Sequence, residues 1–369
     1  MSHWGGIVPG DKAMMVTINN LHDPRPSLVD MSPAYFGLVM ATGIVSLAAF
    51  MMDHHTLASG LFYLNVGQYL LLCVLYVLRA WWHPRRFFGD MVAHLTGPGY
   101  FTAVAGTGIL ASQFMVLRDN FAVGKTLWLL AVVLWLGLTY TIFTAFIVRH
   151  DKPTLDKGIT GGWLLAVVAT QALSVSSALL AEHSGQPYRL ELNFFALSTW
   201  LWGGMLYIWM MGLIFYRYTF FHFSPGDLAP PYWINMGAMA ISTLAGSLLI
   251  LNAPQAPYLA SLLPFLKGFT VFYWATGTWW IPMLLVLGAW RHGYERFPVR
   301  YDPLYWGAVF PLGMYAACTW QLDRAMGFGF LTSLTRVFFY IALTAWTVTF
   351  TGMLHMLTRL LWRRPVSLS

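Results

Sequence analysis

Ten apolar runs, each long enough to cross ~30 Å of hydrocarbon as a helix, constrain this chain more than any other feature of its sequence. They lie at about 32–52, 61–82, 95–117, 126–148, 159–181, 192–216, 231–251, 263–290, 304–322 and 334–358. The connections between them are short, so no soluble domain is inserted. The sequence therefore predicts an all-α integral membrane protein with a transmembrane domain at 31–362, an N-terminal tail at 1–30 and a C-terminal tail at 363–369.

Composition supports the same class of protein. The chain is 58% hydrophobic and only 9% charged, whereas soluble proteins have roughly 25% charged residues. A net charge of +7 would suggest nucleic-acid binding in a soluble protein, but in a membrane protein it sets the topology. With the N-terminus inside, 15 of the 21 basic residues fall on the cytoplasmic side. We therefore expect a multi-pass protein of the cell membrane, in contact with lipid and not nucleic acid, with both termini cytoplasmic.

The basic connectors have a modest expected role. The connectors at 83–86, 149–153 and 291–300 are basic and cytoplasmic, and Arg79 and Arg217 are counted on the same side. The sequence predicts that such residues set the topology and touch anionic lipid headgroups, in preference to recognising a substrate.

A short pattern recurs at the start of the odd-numbered runs. A proline followed two and three residues later by two aromatic residues occurs at 33–36, 98–101, 230–233 and 303–306, and a degenerate copy occurs at 160–163. Successive copies are about two membrane crossings apart. The chain is therefore predicted to contain five units of two helices each, and we call the five copies of the pattern the heads.

Odd and even runs differ in the size of their side chains. The odd runs are rich in glycine, alanine, serine and threonine, whereas the even runs carry large aromatic residues such as Trp200, Trp209 and Trp280. Small residues suit close packing or a wet pathway, and large apolar residues suit lipid. The pattern predicts an inner layer of five odd helices within an outer layer of five even helices. Ordinary packing of small residues without a cavity remains the alternative.

The spans contain few charges. No Asp or Glu lies mid-membrane and no Lys or Arg lies deep in an odd run, whereas proton pumps and cation pores use such groups. A neutral pathway is therefore expected, in which helix N-termini, hydroxyls and a basic rim favour anions. His355 is the one ionisable residue well inside a run, and a hydrogen bond at a helix interface is its expected role.

Features of enzymes and metal sites are absent from the sequence. Cys73 and Cys318 both fall inside predicted spans, and His54 and His55 fall in an outer loop where solvation is expected. Paired histidines in facing spans, metal-ligand spacings and catalytic motifs are not found. We therefore expect no enzyme activity, no metal and no cofactor.

The ninth run carries the candidate site. When the heads are aligned, Phe310 shares a column with Met40, Ala105, Val167 and Gly237. A large ring where sister helices carry small residues is suited to closing a central pore, and Pro311 removes a backbone donor and is expected to bend the helix there. A packing or lipid-facing phenylalanine is the alternative. Hydroxyl residues of the odd runs complete the candidate pore lining: Thr42, Thr107, Thr170 and Ser242.

At these residues the chain resembles the tellurite-resistance/dicarboxylate transporter family, also known as the slow anion channel family. The resemblance rests on three segments, 32–37, 231–235 and 305–311, and covers about residues 30 to 360. It implies five helical hairpins in a quasi-five-fold array around a central pore, with an aromatic gate that maps onto Phe310. Members of the family are often trimers, so a homotrimer is an expectation.

Three functions follow as hypotheses. The first is a channel or transporter that moves small inorganic or carboxylate anions through a pore closed by Phe310. The second is a proton-coupled carrier of C4-dicarboxylates such as malate, or an exporter of sulfite or tellurite-type oxyanions. The third, from another class, is a membrane-embedded oxidoreductase with haem or quinone, which a colourless purified protein would exclude in its haem form.

Overall fold

The computed structural model describes residues 28–183, 188–298 and 301–362, with side chains up to residue 359. Apart from residues 28–30, both predicted tails lie outside the described residues. Helices and turns make up this part of the chain, and it contains no strand. Ten long helices follow the ten apolar runs: α1 (Gly37–Met51), α2 (His55–Trp82), α3 (Phe101–Arg118), α4 (Phe121–Val148), α5 (Leu165–His183), α6 (Tyr188–Phe220), α7 (Ile234–Asn252), α8 (Leu263–Ala289), α9 (Trp306–Met326) and α10 (Thr332–Trp362).

Several helices are longer than the apolar runs that predicted them. The helix α2 begins at His55, six residues before the predicted start, and α6 continues to Phe220. The start of α4 is fixed by Asn120, whose side chain accepts a hydrogen bond from the backbone N–H of Val123. Backbone hydrogen bonds continue beyond the hydrocarbon layer, so hydropathy alone places helix ends poorly.

Within the described residues, nine helices are long and apolar enough to cross a membrane. The helix α9 has 21 residues and is not among the nine. Its C-terminal part contains Gln321, Asp323 and Arg324, which lower its mean hydropathy. The structure therefore confirms an all-helical chain with nine candidate spans, and the role of α9 is argued below from its packing.

Burial separates the helices into two layers, as the sequence predicted. In the spans that contain α1, α3, α5 and α7, at least 78% of an apolar 18-residue segment is buried. In the even-numbered helices the buried share is 56% or less. Most of α9 is buried as well, including Phe310 and Pro311. Small residues thus mark the inner layer, and large apolar residues cover the outside.

The five inner helices form a closed cycle. Each packs against the next odd-numbered helix, and α9 packs back against α1. Small residues permit the close approach: a Cβ placed on Gly108 of α3 would lie 3.2 Å from the Cβ of Ala172 in α5. Each inner helix also packs against the even helix that follows it in the chain.

The five heads form one feature of the fold. Each head is a 3-10 turn that leads directly into an inner helix: Pro33–Phe36, Gly97–Tyr100, Gly161–Leu164, Pro230–Trp233 and Pro303–Tyr305. The side chains of Ser32, Thr160 and Asp302 each accept a hydrogen bond from the backbone N–H two residues later, which holds the turn. Neighbouring heads contact one another around the cycle. All five inner helices therefore begin at one end of the bundle, called here the head end, and the opposite end is called the tail end.

Candidate functional site

A cavity of about 600 Å³ opens at the head end of the bundle. All five heads or the residues beside them contribute to its wall, so it lies over the centre of the inner helices. We call it the head-side cavity. Its polar and head-derived lining residues include Ser32, Pro33, Thr96, Gly99, Asp156, Lys157, Thr160, Gly161, Gly162, Arg217, Asp227, Pro231 and Leu304.

A second cavity of about 670 Å³ opens at the tail end. The C-terminal halves of all five inner helices contribute to it, and we call it the tail-side cavity. Its lining residues include Ile44, Leu47, Ser112, Val116, Val175, Leu179, Leu244, Leu248, Trp320 and Gln321, with Asp53, His55, Glu182 and Arg324 as the ionisable ones. The bundle thus has an opening on its axis at each end.

Phe310 lies between these two openings. It is 1% exposed and lines a small cavity of about 30 Å³ together with Met40. All five inner segments contribute to this small cavity, which shares Ala34, Leu165 and other wall residues with the head-side cavity. The ring of Phe310 is therefore on the inner side of α9, at the bottom of the opening from the head end.

The closed stretch between the openings can be measured along the helices. Ten residues separate Thr102 from Ser112 in α3, where the first lines the small cavity and the second the tail-side cavity. The same ten-residue interval separates Ile234 from Leu244 in α7. At a rise of ~1.5 Å per residue these intervals are about 15 Å long, whereas Met40 and Ile44 in α1 are four residues, or about 6 Å, apart. Phe310 and Met40 lie at the head-end side of this closed stretch.

The other three positions of the aligned column also fall along the closed stretch. Ala105 and Val167 are fully buried, and Gly237 is buried in α7. A Cβ placed on Gly237 would lie 2.7 Å from Cγ of Pro311, the residue after Phe310. Gly237 is therefore in direct contact with the part of α9 that carries the candidate gate.

Three of the four candidate hydroxyl groups bond to the outer layer. Three aromatic side chains bond to inner threonines: Trp346 Nε1 to Thr42 (3.0 Å), Tyr69 Oη with Thr107 (3.0 Å) and Trp135 Nε1 to Thr170 (2.9 Å). Ser242 donates to Ala238 O in its own helix, and its carbonyl accepts from Trp200 Nε1 at 2.8 Å. Trp274 Nε1 donates to the hydroxyl oxygen of Thr319 at 3.1 Å. Every outer helix thus has at least one aromatic side chain that is hydrogen-bonded to an inner helix, and these groups connect the layers.

A second repeated contact was missed by the sequence reasoning. Four arginines at the head-end termini of the outer helices donate to backbone carbonyls in the segments that precede the heads. The pairs are Arg79 with Val29 (3.0 Å), Arg149 with Val92 (3.3 Å), Arg217 with Asp156 (2.7 Å) and Arg291 with Leu228. The expectation that these residues act through topology and lipid alone is incomplete, because Arg79 and Arg217 are also buried.

One signal in the sequence would have revealed these contacts. An arginine recurs at positions 79, 149, 217, 291 and 359, close to the period of the heads. Arg359, in α10, is the fifth of these arginines. The segment before the fifth head includes residues 299–300, which lie outside the described residues. The arginines belong to the repeat just as the heads do.

The charges around the head-side cavity balance formally. Lys157 and Arg217 face Asp156 and Asp227. Burial raises the pKa of Asp227, but hydrogen bonds from Ser224 and Arg217 outweigh it, so this pKa lies below its ordinary value. A hydrogen bond from Thr154 is the main cause of the lowered pKa of Asp156. Both carboxyl groups are therefore ionised at neutral pH, and the cavity wall carries two charges of each sign.

The histidines differ in part from expectation. His355 is exposed near the end of α10, four residues before Arg359, so the expected hydrogen bond at a buried helix interface is wrong. His54 and His55 are exposed as expected, although His55 is the first residue of α2 and lies 3.9 Å from Asp53. Among the described residues, no three His, Cys, Asp or Glu side chains are grouped to share a metal ion.

Comparison with known proteins gives a consistent result. The model of the voltage-dependent anion channel family matches residues 30–354. An uncharacterized membrane protein of Mycobacterium tuberculosis is 38% identical over 152 residues, covering 41% of this chain and 76% of that protein. An uncharacterized transporter of Methanocaldococcus jannaschii is 22% identical, covering 86% of this chain and 92% of the relative. A sulfite efflux pump of Trichophyton rubrum is 22% identical, covering 91% and 90% respectively.

Proposed function

Because the chain belongs to the voltage-dependent anion channel family, we propose that it moves small anions across a membrane through the centre of its five inner helices. In this proposal α9 is the tenth span, and the five helix pairs form a quasi-five-fold array around a central pore. Transport rather than catalysis is also what the names of the relatives indicate.

The observation that carries the proposal is the position of Phe310 between two openings. The head-side and tail-side cavities lie at opposite ends of the same cycle of helices, and a closed stretch separates them that is about 6 Å long along α1 and about 15 Å along α3 and α7. Phe310 and Met40 occupy that stretch and line the small cavity at its head-end side. An apolar constriction of this kind is a known means of closing a pore. Phe310 is the proposed gate, with Met40, Ala105, Val167 and Gly237 as the neighbouring lining.

Anions are favoured by the electrostatics of the bundle. All five inner helices begin at the head end, so the positive ends of their dipoles surround the head-side cavity. The aligned gate column contains only Phe310, Met40, Ala105, Val167 and Gly237, so no carboxylate repels an anion there. Small inorganic or carboxylate anions are the proposed substrates.

The orientation and assembly are further parts of the proposal. The arginines at the ends of α2, α4, α6 and α8 all lie at the head end, which makes this end cytoplasmic by the positive-inside rule. The protein would then reside in the cell membrane with both termini inside. A homotrimer, which the family resemblance led us to expect, is the proposed assembly, and the mass of the protein in detergent tests it.

Replacement of Phe310 by alanine tests the gate. Removal of the ring should raise anion flux into proteoliposomes several-fold without adding a charge. Phe339 of α10 is a matched control, because it is also 1% exposed but stacks on His54 at the edge of the bundle. Phe339→Ala should lower stability without raising flux. A folded Phe310→Ala protein with wild-type flux would refute the gate.

A coupled carrier or exporter is the second candidate. The relative named a sulfite efflux pump favours an oxyanion substrate, and it is 22% identical over nearly the whole chain. A channel passes current that reverses at the anion equilibrium potential, whereas a proton-coupled carrier responds to the proton gradient. Flux of sulfite, malate, nitrate and chloride, measured with and without a pH gradient, separates the two.

A further inference from the structure

We propose that Arg217 is an anion-binding residue in the head-side cavity, where it holds a small oxyanion before the anion reaches Phe310. This inference rests on the proposed function and adds a named binding residue to it. Asp227, the partner of Arg217, then competes with the anion for the same guanidinium group.

The first observation is the incomplete pairing of a buried guanidinium group. Arg217 is 8% exposed and lines the head-side cavity. Its Nε donates to Asp156 O at 2.7 Å, and its Nη2 donates to Asp227 Oδ1 at 2.9 Å. Within the described part of the chain, no hydrogen bond involves Nη1. The guanidinium group is thus held at two of its three nitrogens. Nη1 is not fully buried, and the residue lines a cavity of about 600 Å³.

The second observation is the way in which Asp227 is shared. Only Oδ1 of Asp227 reaches Arg217, because Oδ2 accepts hydrogen bonds from the backbone N–H and the hydroxyl of Ser224 at 2.9 and 2.6 Å. The carboxylate therefore does not form the two parallel bonds that a guanidinium group can make with two oxygens. An incoming oxyanion can bond to the free Nη1 and compete for Nη2.

Further donors line the same cavity. The hydroxyl oxygens of Ser32 and Thr160 accept backbone N–H groups at 3.2 and 3.3 Å, and no acceptor for either hydroxyl proton is found among the described residues. Lys157 adds a second positive charge to the wall. An anion with several oxygens, such as sulfite, nitrate or a carboxylate, matches donors placed around a cavity better than a halide does.

The chain contains a matched arginine that lies outside the head-side cavity. Arg79 occupies the corresponding place at the end of α2 and bonds to Val29 O and to Asp90 at 2.5 Å. Its Nη1 also has a partner, Tyr100 Oη, at 3.4 Å. Arg79 is 1% exposed and is not part of the wall of the head-side cavity. It makes the same structural contact away from the cavity, and its Nε, which has no partner among the described residues, is fully buried.

Thermal unfolding of the purified full-length protein in detergent tests the inference. Sodium sulfite and sodium nitrate are the probes, and sodium chloride at equal ionic strength is the reference. The oxyanions should stabilise the wild-type protein more than chloride does, since a ligand that binds the folded state raises its melting temperature. In Arg217→Gln the apparent affinity should fall roughly tenfold, the loss typical of one charge-assisted hydrogen bond. Arg79→Gln should be less stable but keep the oxyanion effect.

The partner carboxylates give a test of opposite sign. Asp227→Asn removes the competing charge and leaves a single oxygen for the donors of Arg217 and Ser224, so oxyanion affinity should rise. Asp90→Asn makes the same change beside Arg79 and should leave affinity unchanged. If the role of Arg217 were purely structural, Arg217→Gln and Asp227→Asn would both weaken oxyanion binding, or neither would.

Each result decides the inference. Loss of the oxyanion effect in Arg217→Gln but not in Arg79→Gln supports it, and an unchanged effect in Arg217→Gln overturns it. If Arg217→Gln does not fold, tighter binding in Asp227→Asn alone supports it, and equal binding in Asp227→Asn and Asp90→Asn overturns it. Absence of any oxyanion effect in the wild type also overturns it, whereas the flux of Phe310→Ala tests the proposed function separately.

Discussion

Gly237 of α7 and Pro311 of α9 are in direct contact. A Cβ placed on Gly237 would lie 2.7 Å from Cγ and 3.0 Å from Cβ of the proline ring. A proline ring is rigid and cannot rotate away from a new methyl group. The absence of a side chain at Gly237 therefore sets how closely α7 approaches α9, beside the candidate gate Phe310.

Gly237→Ala should separate these two helices. Overpacking of this kind costs ~1–3 kcal/mol, which exceeds or offsets the ~1 kcal/mol that alanine gains over glycine in a helix interior. The expected result is a lower melting temperature together with higher basal anion flux, because displacement of Pro311 shifts Phe310. Thermal unfolding and proteoliposome flux measure the two effects.

Gly212→Ala is the control for this substitution. Gly212 lies in α6, is exposed, and has no atom within 4 Å of a Cβ placed on it. This variant should be as stable as the wild type or slightly more stable, with unchanged flux. Equal stability of Gly237→Ala and the wild type would show that the contact with Pro311 does not control the spacing of the helices.

The bond between Trp135 and Thr170 should stabilise the contact between the layers. Trp135→Phe and Thr170→Val each remove the 2.9 Å hydrogen bond, and the double variant removes it once. A double-mutant cycle should give a coupling of about 0.6 kcal/mol, the average for such bonds within membranes. Thr170→Val should leave flux unchanged, because its hydroxyl faces α4. Reduced flux in this variant would place Thr170 in the pore lining after all.

The stability of the protein should fall in mild acid because of His94. Burial is the main cause of the lowered pKa of this residue, with smaller contributions from Arg149 and Lys152. Its ring stacks on Phe146 at 4.2 Å in the folded protein. In the unfolded chain the His94 side chain takes up a proton near pH 6.5. In the folded protein it takes up this proton only at a lower pH. The free energy of unfolding should therefore decrease as the pH falls from about 7 through that value.

His94→Asn measures this contribution. The variant keeps a polar side chain but cannot titrate near neutral pH, so its melting temperature should change less than that of the wild type between about pH 7.5 and pH 5.5. An identical pH dependence in the two proteins would assign the effect to the other histidines.

The positions of the candidate gate and of the candidate hydroxyl residues show the limits of sequence reasoning. Phe310 stood out because it breaks a repeated column, and the structure places it between two openings of the bundle. Thr42, Thr107 and Thr170 share the same inner helices, yet their hydroxyls bond to tryptophan or tyrosine side chains of the outer layer. Spacing along the chain does not reveal which side of a small-residue helix faces the centre.

Charged residues show the same limit. The sequence assigns Arg79 and Arg217 to topology, and the structure buries both beneath the segments that precede the first and third heads. A count of charges on each side of the membrane cannot distinguish a solvated arginine from a buried one, because both satisfy the positive-inside rule.

By itself, the sequence determined the helical class, the two layers and the five heads. These follow from local properties: a helix satisfies its own backbone hydrogen bonds in lipid, and residue size separates packed faces from lipid-facing ones. Only the tertiary structure decided which inner side chains bond to the outer layer, and that Arg217, which lines the head-side cavity, has a donor without a partner among the described residues. Those outcomes depend on the rotation and register of each helix against its neighbours. Small residues permit many such arrangements, and only the packing of all ten helices selects one.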